Sequence, residues 1–160
     1  MRRNTTAILL ILLFFIELLA LHLVNGYLYN GVIKIWLFDL IMIPLLLGVG
    51  FIKRFDKRKT TGFVTLFVIT LILFIMILPS ITYENGKAIV QKEMNREAEA
   101  AAFISTDYRL IPTASSKSWF IKDYYYHYEV EASGERLFYV VSPVNGSSFQ
   151  LEEDFFRYDR

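Results

Sequence analysis

Ionisable side chains interrupt two long apolar stretches in the first half of the chain. Glu17 lies in the first stretch and Asp39 in the second, with His22 and Lys34 near the ends of these stretches. If the two stretches are antiparallel helices, both carboxylates lie seven residues, or roughly 10 Å, below the same boundary. Ionisable groups inside a membrane are costly and often functional. The pattern therefore indicates a candidate intramembrane polar site formed by Glu17, Asp39 and Lys34.

Two interpretations of this site are open. In the first, the carboxylates share a proton, hold a cation or contact a charged partner helix. In the second, one or both carboxyl groups are protonated, or Lys34 extends to the interface and pairs with Asp39. The second interpretation is the simpler one, and we expect His22 to be a polar residue at the interface.

A second set of chemically capable residues lies in a tyrosine-rich stretch, "DYYYHYEVEASGERLFYVV". The dipeptide Ser133–Gly134 is a two-residue turn signal, so Ala132 opposes Glu135 in an antiparallel hairpin. This register continues to Tyr126 opposite Val141. One face then holds apolar and tyrosine side chains and forms the core. The other face is a candidate binding surface, with these residues: Tyr125, His127, Glu129, Glu131 and Arg136.

The residues after the hairpin predict a further strand. The segment Pro143–Gly146 is a turn signal, and a three-residue hairpin loop with Gly146 in the left-handed region is expected there. Phe149 would then oppose Val141, and Leu151 would oppose Tyr139. Both strand residues would join the core face.

A helix is predicted before these strands, from Lys87 to Ile104. The segment is rich in strong helix formers. Its apolar stripe runs through Val90, Met94, Ala98 and Ala101 at helical spacing. Small alanines at the end of the stripe suit close packing on a sheet.

Enzymatic chemistry has little support in the sequence. The chain has no cysteine, and only one of its two histidines, His127, lies in the second half. Lys117 has three serines beside it, but such polar loops rarely form a Ser–Lys dyad. We expect His127 to be solvated or packed at the surface rather than a metal ligand. We expect the aromatic residues near the C-terminus to pack back on the helix; the alternative is an exposed contact patch. The sequence predicts no catalysis, metal or cofactor.

Composition divides the chain in two. Of the 160 residues, 54% are hydrophobic, and residues 1–82 carry eight Lys/Arg against three Asp/Glu. Residues 83–160 carry nine Lys/Arg against thirteen Asp/Glu. The acidic second half argues against nucleic-acid binding, which needs a basic surface.

Three apolar runs predict three transmembrane helices, at about 7–24, 32–52 and 62–81. The basic loop Lys53–Lys59 and the basic start of the chain lie on one side, and the uncharged loop Asn25–Gly31 on the other. Basic short loops stay in the cytoplasm. We therefore expect a multi-pass protein of the bacterial plasma membrane with a cytoplasmic N-terminus and residues 83–160 outside.

The second half resembles the PepSY family. The resemblance rests on Tyr128-x-Val130, Gly134, Phe138-x-Val140 and the turn "SPVNG" that begins at Ser142. Ser142 and Asn145 replace the aspartate and threonine of the family pattern, and the similarity covers about 70 residues. The resemblance implies a non-catalytic extracytoplasmic module of the cystatin-like α+β type that binds or regulates cell-envelope proteins and peptidases.

Together these features predict an α-helical membrane region plus a small α+β domain, with one helix on an antiparallel sheet of three or four strands. The expected function is a non-enzymatic membrane protein whose outer domain contacts a membrane or cell-envelope partner, with the lipid bilayer around its spans. The alternative is an accessory transporter subunit that uses its intramembrane carboxylates.

Overall fold

The computed structural model describes residues 2–52, 55–94, 101–113, 119–132 and 134–156. The chain divides into two compact units. The first comprises 1–25 and 34–78, and the second comprises 26–33 and 79–160. The boundary expected near residue 82 therefore lies slightly earlier, and the second unit also takes in the short segment after the first apolar run.

Three apolar helices make up the first unit, although the last turn of α1 belongs to the second unit. They are α1 (Arg2–Tyr29), α2 (Trp36–Phe51) and α3 (Lys57–Ile77). Two of them are long and apolar enough to cross a membrane, over Thr5–Tyr29 and Lys57–Ile77. At 16 residues, α2 is shorter and contains Pro44. The predicted second span, 32–52, therefore begins too early, because residues 32 and 33 belong to the second unit.

Aromatic side chains hold the three helices of this unit together. Phe14 is 1% exposed and contacts the rings of Phe63 and Phe67 edge-on, at 6.4 and 5.9 Å between ring centroids. Phe38 and Phe74 form a similar contact at 5.5 Å. At the start of α3, the Asp56 carboxylate accepts a hydrogen bond from the Lys59 backbone N–H at 2.8 Å, which caps the helix.

The second unit contains one helix and an antiparallel sheet. The helix is α4 (Tyr83–Met94), and the strands are β1 (Ala101–Ile104), β2 (Leu110–Pro112), β3 (Tyr124–Ala132), β4 (Glu135–Val141) and β5 (Ser148–Leu151). The sheet order is β1-β3-β4-β5, and β2 also pairs with β3. This agrees with the predicted helix-plus-sheet domain.

The predicted helix to Ile104 is wrong in its last part. Residues 101–104 form β1, and Ala101 lies opposite Ala132 of β3. Ala98 lies outside the described residues. Alanine favours helices, but an open edge of β3 gives 101–104 backbone hydrogen bonds and places Phe103 beside the ring of Tyr128, at 6.1 Å. Tertiary pairing therefore decides this segment.

The first face of the sheet packs under α4, as expected. Tyr126, Tyr128, Val130 and Val141 are at most 1% exposed and join Val90 of α4 in one cluster. The β3–β4 pairing is the predicted one, from Ala132 opposite Glu135 to Tyr126 opposite Val141. Gly134 has φ +82°, as a tight turn of this kind needs.

The predicted pairing of β4 with β5 is wrong by one residue. Val141 lies opposite Ser148, and Val140 lies opposite Phe149. The loop has four residues, because the Ser142 N–H donates to the Ser147 carbonyl at 2.8 Å and the Gly146 N–H donates to the Ser142 carbonyl. A shift of one residue moves every β5 side chain to the opposite face.

This shift gives the second face of the sheet a core of its own. Ile111, Val140 and Phe156 are buried there together, with Leu151 and Tyr125 beside them. Phe156 stacks on Tyr108 at 4.5 Å between ring centroids. Phe156 therefore packs back on the chain, but on the second face of the sheet and not on the helix as predicted. Phe155 is 51% exposed, and Tyr158 lies outside the described residues.

The segment 26–33 belongs to the second unit. Asn30 and Gly31 both have positive φ and form a tight turn. Val32 and Ile33 then enter the domain and are 0% exposed. The Lys122 N–H donates to the Val32 carbonyl at 2.8 Å, and Ile33 pairs with Ile121 in an isolated β-bridge. These two apolar residues therefore belong to the domain core.

Candidate functional site

A cavity of about 150 Å³ opens in the second unit where the sheet edge is interrupted. β1 pairs with β3 down to Glu129, whereas β2 pairs with β3 only from Tyr126 onwards. The loop 105–109 bridges the gap. The cavity is lined by the first turns of α4, the end of β1, this loop and β3, with these residues: Tyr83, Glu84, Lys87, Phe103, Ile104, Ser105, Thr106, Arg109, Tyr128 and Glu129.

Hydrogen bonds to backbone carbonyls hold the aromatic wall of the cavity in place. The Tyr83 hydroxyl donates to the His127 carbonyl at 3.2 Å, and the Tyr128 hydroxyl donates to the Tyr83 carbonyl at 2.8 Å. The two rings stack at 4.8 Å between centroids. Burial raises the pKa of Tyr83 to about 12, and it raises the pKa of Tyr128 further. Both phenol groups are therefore neutral at physiological pH and form an uncharged wall of the cavity.

The charged residues of the cavity are unequally paired. Glu84 accepts from the Lys87 ammonium at 2.8 Å, and the buried Glu129 accepts from the Arg136 guanidinium at 3.1 Å. Arg109 donates to two neutral oxygens, the Thr106 carbonyl at 3.5 Å and Asn30 Oδ1 at 3.4 Å. Both contacts are long for a charged donor. Among the described residues, Arg109 is therefore the cation of the cavity that forms no ion pair with a carboxylate.

Two cations lie near one aromatic ring at this cavity. The Lys87 ammonium is 5.5 Å from the centroid of the Tyr83 ring, and the Arg109 guanidinium is 5.6 Å from it. The hydroxyl groups of Ser105 and Thr106 also line the cavity. Cationic groups beside hydroxyl donors and an apolar wall suit a small anion with an apolar substituent.

The predicted outer binding face is largely inaccessible. His127 is 0% exposed and Glu129 is 2% exposed, while Tyr125 is half-buried; Glu131 and Arg136 are exposed. The expected solvation of His127 is therefore wrong. The cause is the four-residue β4–β5 loop, which turns Phe149 and Leu151 towards this face, together with Phe156, which lies edge-on to the His127 ring at 5.5 Å.

His127 has a structural environment in this core. Its Nδ1 lies 2.9 Å from the Tyr108 carbonyl, and its ring stacks on Phe138 at 6.1 Å. A carbonyl oxygen only accepts, so Nδ1 carries the proton and donates. Within the described residues there is no group of three or more histidine, aspartate or glutamate side chains that would hold a metal ion. The Ser–Lys stretch 115–118 lies outside the described residues.

The predicted intramembrane site divides between two different pairs. The Glu17 carboxyl group is 4% exposed and hydrogen-bonds with the Thr70 hydroxyl at 2.9 Å. Asp39 instead lies 3.6 Å from the His22 ring nitrogen. Lys34 is half-buried at the start of the α2 segment. The two carboxylates therefore have separate partners, and the prediction that they form one pair finds no support in these contacts.

Sequence reasoning missed the cavity residues Tyr83, Lys87 and Arg109. Tyr83 and Lys87 lie on α4, whereas Arg109 lies in the loop before β2, and the three residues follow no motif. They come together because β1 and β2 leave a gap along β3, and this gap depends on the strand that replaced the end of the predicted helix. The spacing of residues along the chain contains no signal for it.

Comparison with known proteins returned no match to a protein-family model, to a curated protein or to a solved structure. The PepSY resemblance therefore stays a prediction from the sequence.

Proposed function

We propose that this chain is a non-enzymatic, multi-pass protein of the bacterial plasma membrane whose extracytoplasmic PepSY-like domain binds a membrane or cell-envelope partner. The domain receives a carboxylate group of that partner at the Arg109 cavity. The observation that carries this proposal is the Arg109 guanidinium, which lines a cavity and, within the described residues, donates its hydrogen bonds to two neutral oxygens. A carboxylate would supply the charged acceptor that is missing there.

The chain segments that make up the second unit support three crossings of the membrane. The turn after α1 and residues 79–160 belong to one compact unit, so the segment 34–78 leaves this unit and returns to it. A segment that returns to the same side of a bilayer crosses it an even number of times. If α3 crosses, α2 must cross as well. Its 16 residues measure roughly 24 Å, which a locally thinned bilayer accommodates.

The charge distribution supports the orientation. The segment Lys53–Lys59, which lies after α2 and includes the first residues of α3, has five basic residues and one acid. Such loops stay in the cytoplasm, which places the second unit outside. A reporter enzyme that is active only outside the cytoplasm, fused after Arg160, is expected to be active. An inactive reporter with a normally inserted chain would overturn this orientation.

The carboxylate has two chemical sources, a free small carboxylic acid or the C-terminus of a peptide. The test uses the full chain in nanodiscs and calorimetric titration with sodium propionate, and with one short peptide in free-acid and amidated forms. We expect Arg109→Gln to weaken carboxylate binding about tenfold or more, because hydrogen bonds to charged groups contribute about 1.5–3 kcal/mol.

The matched control is Lys122→Gln, which removes an exposed cation of the same unit that does not line the cavity. Binding unchanged by this control and weakened by Arg109→Gln supports the proposal. A preference for the free-acid peptide over propionate identifies a chain terminus as the ligand, and the reverse preference identifies a small acid. Equal affinity of wild type and Arg109→Gln, or no binding of any carboxylate, refutes the site.

The transporter-subunit alternative retains one supporting observation. Glu17 is a buried carboxyl group among apolar helices, and its Oε2 has no hydrogen-bond partner within the described part of the chain. The two functions predict opposite results. Deletion of 83–160 abolishes an interaction function, whereas Glu17→Gln with Asp39→Asn abolishes a transport function and leaves the interaction function nearly intact.

A further inference from the structure

Two adjacent aromatic side chains of the second unit are left in solvent. Trp119 is 85% exposed and Phe120 is 41% exposed, whereas the next residue, Ile121, is 9% exposed. A tryptophan that is this exposed contributes no packing energy to its own domain. Exposed apolar side chains of this kind mark a site of contact with a protein or a membrane. The position of the pair in the unit indicates which of the two it contacts.

The two residues that follow the aromatic pair contact the segment just after α1. The Val32 N–H donates to the Tyr29 carbonyl at 3.1 Å, and the Lys122 N–H donates to the Val32 carbonyl at 2.8 Å. Ile121 pairs with Ile33. All of these contacts lie within the second unit, so they connect the segment 119–122 directly to the end of a helix that is apolar enough to span a membrane.

The depth of this helix end follows from its length. If residues 7–24 of α1 fill the hydrocarbon core, Tyr29 lies five residues, or roughly 8 Å, beyond its edge. The headgroup layer on each side is about 5–8 Å thick. Trp119 is two residues from Ile121, which spans at most about 7 Å of chain. The aromatic pair can therefore reach the layer in which tryptophan is enriched in membrane proteins.

We propose that Trp119 and Phe120 insert into the interfacial layer of the outer leaflet and hold the second unit at the bilayer surface. The exposed Lys122 lies two residues after Phe120 and would contact lipid phosphate groups. This inference rests on the proposed membrane topology. The β3–β4 turn lies at the opposite end of the nine-residue β3, roughly 30 Å along the strand, so the exposed Glu135 is far from the aromatic pair within the unit.

The chain has only two tryptophans, Trp36 and Trp119, which makes the test direct. Trp36→Phe leaves Trp119 as the single tryptophan, and Trp119→Phe leaves Trp36. Each variant is reconstituted in phosphatidylcholine vesicles with or without bromine on the acyl chains near the headgroups, and each is also titrated with aqueous acrylamide. The control adds Glu135→Trp to a chain that lacks both native tryptophans.

We expect Trp119 to emit at shorter wavelength than the Glu135→Trp control, to be quenched by brominated lipid, and to be at least about twofold less accessible to acrylamide. Full acrylamide accessibility of Trp119 without lipid quenching overturns the proposal. Protection from both quenchers overturns it too, since protein rather than lipid would then cover the residue. If Trp36 is also insensitive to brominated lipid, the membrane topology itself is wrong; if only Trp119 is insensitive, the anchor alone is wrong.

Discussion

Gly86 is the position where α4 lies closest to the sheet. A Cβ added there would overlap the Tyr128 hydroxyl and would lie 3.0 Å from Cζ of the same ring. That hydroxyl is held in place by its hydrogen bond to the Tyr83 carbonyl. Gly86→Ala therefore forces α4 away from β3, or turns the Tyr128 side chain and breaks this bond.

The expected size of the effect follows from three contributions. Overpacking a close contact costs about 1–3 kcal/mol. Loss of the tyrosine hydrogen bond costs about 1 kcal/mol. Replacing glycine by alanine inside a helix contributes about 1 kcal/mol in the stabilising direction. The net loss is about 2 kcal/mol, which lowers the melting temperature of a domain this small by roughly 8–16 °C.

Thermal unfolding of the reconstituted chain, followed by near-ultraviolet circular dichroism of the tyrosines, measures this effect. Asn85→Ala, an exposed neighbour on α4, is the matched control, and its melting temperature should change little or rise. Combining Gly86→Ala with Tyr128→Phe removes the overlapping oxygen and should recover part of the loss. A stabilised Gly86→Ala variant would refute the close helix–sheet contact, because only helix propensity would then act.

Three further predictions concern the membrane helices, the tyrosine core and the second face. Glu17→Gln keeps a hydrogen-bonding group towards α3 and should leave unfolding in detergent nearly unchanged, whereas Glu17→Leu should cost about 0.6–1.7 kcal/mol; equal losses would contradict this role. Because burial raises the pKa of Tyr83 from 10 to about 12, the folded state favours the neutral phenol, so stability present below pH 10 should decline as the pH rises towards 12. Alkaline unfolding of Tyr83→Phe should show a weaker decline. Phe156→Ala should cost roughly 3 kcal/mol and open His127 to chemical modification, whereas Phe155→Ala should have little effect on either measurement.

Local turn chemistry accounts for the part of the fold that was predictable. The pairing of β3 with β4 follows from the dipeptide Ser133–Gly134, because a two-residue turn permits one register and the alternation of side chains supports the same one. The core face of the hairpin follows from that register. The apolar stretches likewise predict long helices from composition alone.

The length of the β4–β5 loop does not follow from local turn chemistry. Loops of three and four residues both place Gly146 in the left-handed region, at φ +70° in the structure. The hydrogen bond between Ser142 and Ser147 selects the longer loop. One residue of loop length then decides whether Phe149 and Leu151 lie under α4 or on the opposite face, and with it whether His127 is buried.

The Arg109 cavity and the position of Trp119 and Phe120 both depend on pairing between segments that are distant in the chain. β1 forms because β3 offers an open edge, and the gap beside β1 brings Arg109 to Tyr83. Ile33 leaves the predicted second span because Ile121 offers it a partner. Helix propensity and hydropathy depend on a few neighbouring residues, so they do not predict partners that are distant in the chain.

The sequence alone therefore determined the apolar helices, the helix-plus-sheet class of the second half and the register of its central hairpin. The tertiary structure alone decided which face of the sheet is accessible, which partners the carboxyl groups Glu17 and Asp39 have, and where a cavity opens. The physical reason is the same in each case. A turn or an apolar run is specified by adjacent residues, whereas burial and charge pairing are specified by residues that meet only after the chain has folded.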